Sequence, residues 1–539
     1  MVHPDFFSDI ESILGVAAVL RSRSDLLSYT ENTSGFFREI AGILLPKTTA
    51  DVQSCVRVAR RFKTPLYPIS AGKNWGMGSR LPIRDGSVIL DLKHLNRIRK
   101  IDGNMGYAVI EAGVTQTQLA QQLRSQNCSY FLDVTGSSGH SSIIGNAMER
   151  GISYNGLRAE QLMHLEIVDG RGELIRTGFQ AQSEGTLSEL YRYGVGPSLD
   201  QLFFESNFGI VTAATVHLLP KTEKQIQFSL SLRDASALPD VFDALRTLRE
   251  RRFLFCTARA GNKDRLYPLI APLLQRELEK MGAKRTRPEL LEILNRHFKG
   301  TWFVGGAIAG TRAFTAVAQK EVRKTLGKFG TPRFMSGDKA QWIGHLTRLV
   351  RMKEIPALIS ALGSLQNLAR GIPTEDTLPS VFWPVGLSPS KDPAAEIDRS
   401  AAGLLFSAPL APLNGASVAM LIQVIESVCV KYALSPAITL NTATDRLIEA
   451  VISLHFNKQD SVVTKKAQMC LKDLNAELAR QGFFQYRLTV EDMPEAINPN
   501  NPGWTLIREL KTLFDPDDII ASGRYCPPLT GLDSAKSPT

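Results

Sequence analysis

The chain has 539 residues, long enough for more than one hydrophobic core, and two domains are the natural expectation. Hydrophobic residues make up 43% and charged residues 22%, ordinary for a folded soluble protein. The net charge of +10 is scattered, and its densest groups (Arg249, Arg251, Arg252; Lys284, Arg285, Arg287) read as solvated helix faces, not a nucleic-acid surface. Six cysteines stand far apart with no Cys-x-x-Cys, which reads as reduced thiols in a cytoplasmic protein. The eight histidines form no His-x-His or His-Glu-x-x-His group, so no metal site is expected. The apolar run Ile13–Leu20 is bracketed by charges, lacks a basic start and is too short to span a bilayer. It reads as part of an amphipathic helix.

In chain order, residues 1–45 read as helices leading into a nucleotide domain. Pro46–Phe62 carries Thr49 or Asp51 as a helix cap, with Val52, Val56 and Ala59 on one buried face. Thr64–Ile69 is a short strand, followed by the glycine-rich stretch Pro68–Arg80, PISAGKNWGMGSR. Glycines at 72, 76 and 78 allow positive φ angles that turn several backbone N–H groups toward one point, a geometry suited to a diphosphate. Taken alone, such a loop is more often a bare surface turn. Strands follow at Val88–Leu92 and Tyr107–Ala112, then a helix beginning near Thr115. Leu132–Asn146, LDVTGSSGHSSIIGN, is another stretch whose small residues let a ligand approach the backbone. From Lys221 the character changes: a strand at Ile226–Leu232, an amphipathic helix at Leu238–Arg251, then a charged stretch and the apolar run Trp302–Ile308. Prolines across 371–412 favour an extended loop over a helix.

These stretches, with Leu165–Gly178 and Phe203–Pro220, make nearly the whole chain resemble the vanillyl-alcohol oxidase and p-cresol methylhydroxylase family of FAD enzymes. The resemblance implies an α+β, two-domain flavoprotein. A p-cresol methylhydroxylase-type FAD-binding domain would occupy 1–225 and a cap domain 226–483. A C-terminal segment, 484–527, would return to the FAD domain, and 528–539 would be a disordered tail. It implies FAD contacts from Ser70, Gly72, Lys73, Asn74, Gly76, Met77 and Gly78 in the glycine loop, and from Gly139, His140, Gly145 and Asn146 along the flavin and pyrophosphate. Glu205, Asn207, Ile210 and Val211 would meet the adenine and ribose, and Arg524 the flavin ring or diphosphate. His140 alone reads equally as a solvated or structural histidine.

Within the stretch Phe483–Met493, FFQYRLTVEDM, Tyr486 and Arg487 match the pair that grips a substrate phenolate in the family. As a dipeptide they also fit a packed tyrosine beside a surface arginine. Three departures from the family stand out. Met77 occupies the place of a third, tyrosine ligand to the phenolate. Gly136–Ser138 offers no carboxylate where oxidase members carry one. Leu404 falls where a covalent flavin histidine would stand, so FAD is expected to be held non-covalently. The implied activity is hydride transfer from the benzylic carbon of a 4-alkylphenol or related aromatic alcohol, giving a quinone methide. A non-phenolic alcohol, a 2-hydroxy acid or a natural-product intermediate is the alternative substrate, and a non-catalytic flavin-fold binder the least favoured reading. The implied partners are a small-molecule substrate, oxygen or a redox protein as electron acceptor, and a second copy in a homodimer.

Overall fold

The computed structural model describes residues 2–182, 185–336, 353–389, 391–498 and 500–527. The tail 528–539 lies outside them. Strands β1 (Val19–Leu20), β2 (Ile40–Leu44), β3 (Leu66–Ile69) and β4 (Ser87–Asp91) form a first sheet in the order β1-β2-β4-β3, with β4 parallel to both β2 and β3. A second, antiparallel sheet has the order β5-β6-β10-β8-β9, built from β5 (Ile98–Asp102), β6 (Tyr107–Glu111), β8 (Leu162–Asp169), β9 (Leu174–Arg176) and β10 (Gly209–His217). Beside it β7 (Tyr130–Phe131) pairs with β11 (Leu219–Pro220).

The N-terminal region departs from the all-helical expectation. Helices span Pro4–Leu14 and Arg23–Thr30, but Ile40–Leu44 is a buried strand. A five-residue apolar run carries no periodicity that separates strand from helix, and pairing with β4 decides it. The run Ile13–Leu20 is not one helix either, because Gly15 at φ +84° ends the first helix and the chain turns into β1. The helix Thr49–Phe62 is capped by Thr48, whose hydroxyl accepts from Asp51 N–H while the Asp51 carboxylate accepts from Thr48 N–H. Val52, Val56 and Ala59 are buried beneath it.

The third sheet is antiparallel: β12 (Lys224–Leu232), β13 (Arg259–Asn262), β14 (Trp302–Gly310), β15 (Arg333–Met335), β16 (Ala402–Ser407), β17 (Leu410–Pro412), β18 (Ala437–Thr442) and β19 (Leu447–Asn457). Its order is β15-β12-β14-β13-β18-β19-β16, with β17 also on β19. One face is covered by the helices Leu238–Glu250, Arg312–Leu326, Gly415–Lys431 and Ser461–Arg480. Ile448, Ala450, Ile452, Leu454 and Phe456 point into that core, each large side chain contributing about 1.5–3 kcal/mol by leaving water. Because strand side chains alternate, Glu449, Ser453 and His455 emerge on the other face. The proline-rich region is not wholly extended: short helical turns at Pro379–Phe382 and Pro393–Glu396 each begin with proline, where its missing N–H costs nothing.

After the helix Pro502–Phe514 the chain comes back to the first sheet. Leu66 N–H donates to Ile519 O and Ala521 N–H to Leu66 O, both at 2.7 Å. The fully buried Lys511 ammonium fixes this return, donating to Asp515 Oδ2 (2.6 Å), Asn207 O (2.7 Å) and Ile520 O (2.8 Å).

Candidate active site

The glycine loop leaves β3 at Ile69, and Ser70, Gly72, Lys73, Asn74 and Met77 line a deep cavity. The backbone N–H groups of Lys73, Asn74 and Trp75 have no hydrogen-bond partner among the described residues. Gly72 sits at φ +62°, and a Cβ there would lie 2.6 Å from Arg80 Cγ, so the loop cannot close up with a larger residue. Asp398 pins the loop from the third-sheet side, accepting from Ser79 Oγ (2.7 Å) and Trp75 Nε1 (3.2 Å), with Arg80 3.5 Å away. Lys73 Nζ donates to Ala394 O at 3.1 Å. The opposite wall brings Gly145 and Asn146 from the short helix Ile143–Met148, Glu205, Ile210 and Val211 from the turn into β10, and Arg524 from the C-terminal return.

Five residues expected at the cofactor stand off the cavity wall. Gly76 N–H donates to Thr33 Oγ1 (2.8 Å) and its carbonyl accepts from Phe406 N–H (3.1 Å). Gly78 packs on Val490, where a Cβ would meet Cγ2 at 2.7 Å. Gly139 N–H donates to Glu375 Oε1 at 2.7 Å. His140 is exposed, and the Asn207 amide donates to Ala521 O at 3.1 Å. Gly76 and Gly139 have backbone groups already committed to the protein, while Asn207 Oδ1 is buried without a partner among the described residues.

Arg487 lines the cavity beside the glycine loop, with Nη2 donating to Asn74 Oδ1 at 2.5 Å and Nε lying 3.6 Å from Glu149 Oε2. The other Glu149 oxygen accepts from Arg524, whose Nη1 donates to Ser206 O at 2.7 Å. Tyr486 is set behind this wall. Its hydroxyl donates to Glu449 Oε1 at 2.9 Å, and Glu449 Oε2 accepts from Asn441 Nδ2 at 2.6 Å. Arg259, Asn441 and Glu449 are directly opposite one another on β13, β18 and β19. Burial pushes the Glu449 carboxyl above its usual range, against the hydrogen bonds from Tyr486 and Asn441. Burial also pushes Glu205 up to about 7, although Arg150 stands 2.9 Å away and Arg487 acts in the same sense as Arg150. Met77 is buried on the wall, and Leu404 and Phe406 of β16 close it on the third-sheet side.

A family model described as an FAD binding domain matches residues 40–178. The chain is 32% identical over 528 residues to 1'-carboxy-chondrochloren decarboxylase of Chondromyces crocatus, covering 95% of both chains. It is 26% identical to the 4-cresol dehydrogenase [hydroxylating] flavoprotein subunit of Pseudomonas putida, covering 88% of this chain and 86% of that one. The solved structure of p-cresol methylhydroxylase with substrate bound superposes with a TM-score of 0.83 at 23% identity over 98% of each chain. The chain belongs to the p-cresol methylhydroxylase type of FAD-linked oxidoreductases. The 4-ethylphenol oxidase from Gulosibacter chungangensis has the same fold, with a TM-score of 0.83 at 21% identity over 97% of this chain and 98% of that one.

FAD is the cofactor of this p-cresol methylhydroxylase-type chain, and the cavity fits it on its own terms. The unpartnered N–H groups of Lys73–Trp75 suit a diphosphate, and the buried Asn146 Oδ1 and Glu205 Oε1 have no partner within the described protein. Two arginines supply positive charge at the same wall. Among the described residues no group of three or more His, Cys, Asp or Glu is placed to hold a metal ion. No helix among them is long and apolar enough to cross a membrane. Sequence reading missed Glu149, Glu375 and Glu449, because each meets its partners only through the fold. Glu375 also brings a carboxylate to the Ser138–Gly139 stretch from elsewhere in the chain, accepting from Ser138 Oγ at 3.0 Å.

Proposed function

We propose that this FAD-dependent oxidoreductase removes hydride from the benzylic carbon of a para-substituted phenol whose side chain carries a carboxylate, as in a natural-product intermediate. The observation that carries the reading is Arg487 on the cavity wall beside Asn74, with Tyr486 next to it in sequence and hydrogen-bonded to Glu449. A permanently charged guanidinium lowers the pKa of a phenol placed against it and holds the phenolate by charge-assisted hydrogen bonds. The phenolate oxygen pushes electron density toward the para carbon, which eases loss of hydride there.

FAD, when bound, supplies the acceptor for that hydride and its electron pair. The substrate is left as a neutral quinone methide. Addition of water across it gives a benzylic alcohol, and loss of a proton gives an alkene. Where a carboxylate sits on the carbon next to the benzylic one, its C–C bond can break instead. The bonding pair then forms the side-chain double bond, the ring regains aromaticity as a phenolate, and carbon dioxide leaves. The Chondromyces relative, a decarboxylase by name, supports this last outcome. Met77, in place of a polar ligand, leaves an apolar wall with room for a bulkier side chain. Leu404 on the cavity wall supports non-covalent retention of FAD.

The test is anaerobic mixing of the FAD-loaded protein with 4-ethylphenol and with 3-(4-hydroxyphenyl)propanoate, following the visible flavin band. Bleaching is expected, and a fall of about 100-fold or more in its rate in Arg487→Ala. Persistence of the band with both phenols rejects the reaction. Admitting air to the reduced protein separates oxygen from a redox protein as acceptor.

A further inference from the structure

Arg265 lines the same cavity from the first turn of the helix Lys263–Lys280. Its backbone N–H is taken by Asn262 Oδ1, but its guanidinium has no hydrogen-bond or ion-pair partner among the described residues. The other arginines nearby are all engaged. Arg487 holds Asn74 and faces Glu149, Arg524 holds Ser206 O and Glu149, and Arg259 donates to Ser153 O (3.0 Å) with its guanidinium 3.5 Å above the Tyr154 ring.

Nor does an acid balance Arg265. Burial and the neighbouring Arg259 both disfavour its charge, and Tyr154 offsets them only in part. Within its electrostatic reach, His455 of β19 is held neutral, since burial pushes its imidazole down to about 3. The His455 Nε2 atom is buried and has no partner. His455 stands directly across the ladder from Leu404, which is itself on the cavity wall, so the two side chains share the sheet face turned to the cavity. An unpaired guanidinium and the positive end of an eighteen-residue helix thus meet at one wall, with a neutral imidazole on the same sheet face behind it. The diphosphate loop, with its unpartnered N–H groups, belongs to a separate element.

We infer that Arg265, unpaired on the cavity wall, is the recognition site for the carboxylate of the substrate. This rests on the phenol reading above and names the second handle by which the substrate is held. Arg487 would take the ring oxygen while Arg265 takes the acid, which fixes the side chain along the line between two charges. A guanidinium fork matches a carboxylate with two parallel hydrogen bonds, and a lysine would supply charge without that match.

The experiment is calorimetric titration of the dithionite-reduced holoenzyme, which cannot accept hydride, with 3-(4-hydroxyphenyl)propanoate and with 4-ethylphenol. The two probes share the phenol and differ by the carboxylate. The expected result is a preference for the acid that shrinks by about 10- to 100-fold in Arg265→Gln and by less in Arg265→Lys. A preference unchanged in Arg265→Gln overturns the inference, as does a wild-type protein that binds both probes alike. Loss of FAD from Arg265→Gln with the preference intact overturns it too, assigning the arginine to the cofactor. Absence of flavin bleaching in the oxidised protein would reject the reaction, while the calorimetric preference would still decide the role of Arg265.

Discussion

A tyrosine whose proton already points at a carboxylate cannot donate the same proton to a phenolate. Tyr486 donates to Glu449, so the free lone pair of its oxygen is the acceptor it would offer to a phenol that reached past the Arg487 wall. On the reaction proposed above, this pair would serve as a short proton path, the phenol proton moving to Tyr486 as the Tyr486 proton moves to Glu449. Burial raises the affinity of Glu449 for a proton, and Arg487 would hold the phenolate that results. Glu449→Gln keeps an acceptor for Tyr486 but cannot take the proton. Flavin reduction by 4-ethylphenol should therefore slow at pH 7, and the deficit should close as pH approaches the ordinary phenol value of about 10, where the substrate arrives ionised. A deficit constant with pH would reject the path. Tyr486 and Arg487 were legible in the sequence as neighbours, and the fold puts Arg487 on the cavity wall with Tyr486 behind it. Glu449, 37 residues away, was not, because the β18–β19 register puts Asn441 on one of its oxygens and the C-terminal segment, tied by Tyr486 N–H to Ala408 O, puts Tyr486 on the other.

At the scale of elements, the glycine loop owes its shape to partners far from it in sequence. Asp398, between the short helix Pro393–Glu396 and β16, collects Trp75, Ser79 and Arg80, while Lys458 Nζ clamps the Asp398 carbonyl (2.5 Å) and Asn32 O (2.7 Å). Removing the carboxylate leaves a buried indole N–H and a buried hydroxyl without acceptors, each costing about 1–3 kcal/mol. Asp398→Ala should weaken FAD binding by about tenfold or more, measured as flavin retained through gel filtration and by titration of the apoprotein. Retention equal to wild type would show that the loop holds its shape unaided. The sequence announced the loop through its three glycines, but the anchor is an ordinary aspartate in a proline-rich stretch. Strand β2 escaped notice for a related reason: IAGIL is too short to carry a period, and only its partner β4 makes it a strand.

Across the whole molecule, the C-terminal return depends on one buried cation. Lys511 ties Asp515 and Ile520 to the carbonyl of Asn207, and so joins the last helix to the turn that presents Glu205 to the cavity. Lys511→Met would leave Asp515 buried without its cation and three oxygens without that donor. A loss of about 3–5 kcal/mol in denaturant unfolding is expected, together with earlier thermal release of flavin. A loss below about 1 kcal/mol would mean the return is held by its backbone pairing to Leu66 alone. The family resemblance made the two-part architecture readable along most of the chain, whereas this buried pair is written as a plain Lys-x-x-x-Asp helix pattern.

The bolts between the glycine loop and the third-sheet region carry a kinetic consequence. Asp398 to Trp75 and Ser79, backed by Lys458 on the Asp398 carbonyl, and Phe406 N–H to Gly76 O together hold the glycine loop against residues far later in the chain. If a bound flavin is to leave past this loop, these ties must part with it. Retention of FAD is then governed by how rarely that latch opens, and loading by whether the flavin arrives before the latch has shut. Newly made chain and finished protein would accordingly differ in their access to the cofactor, even with the same affinity for it.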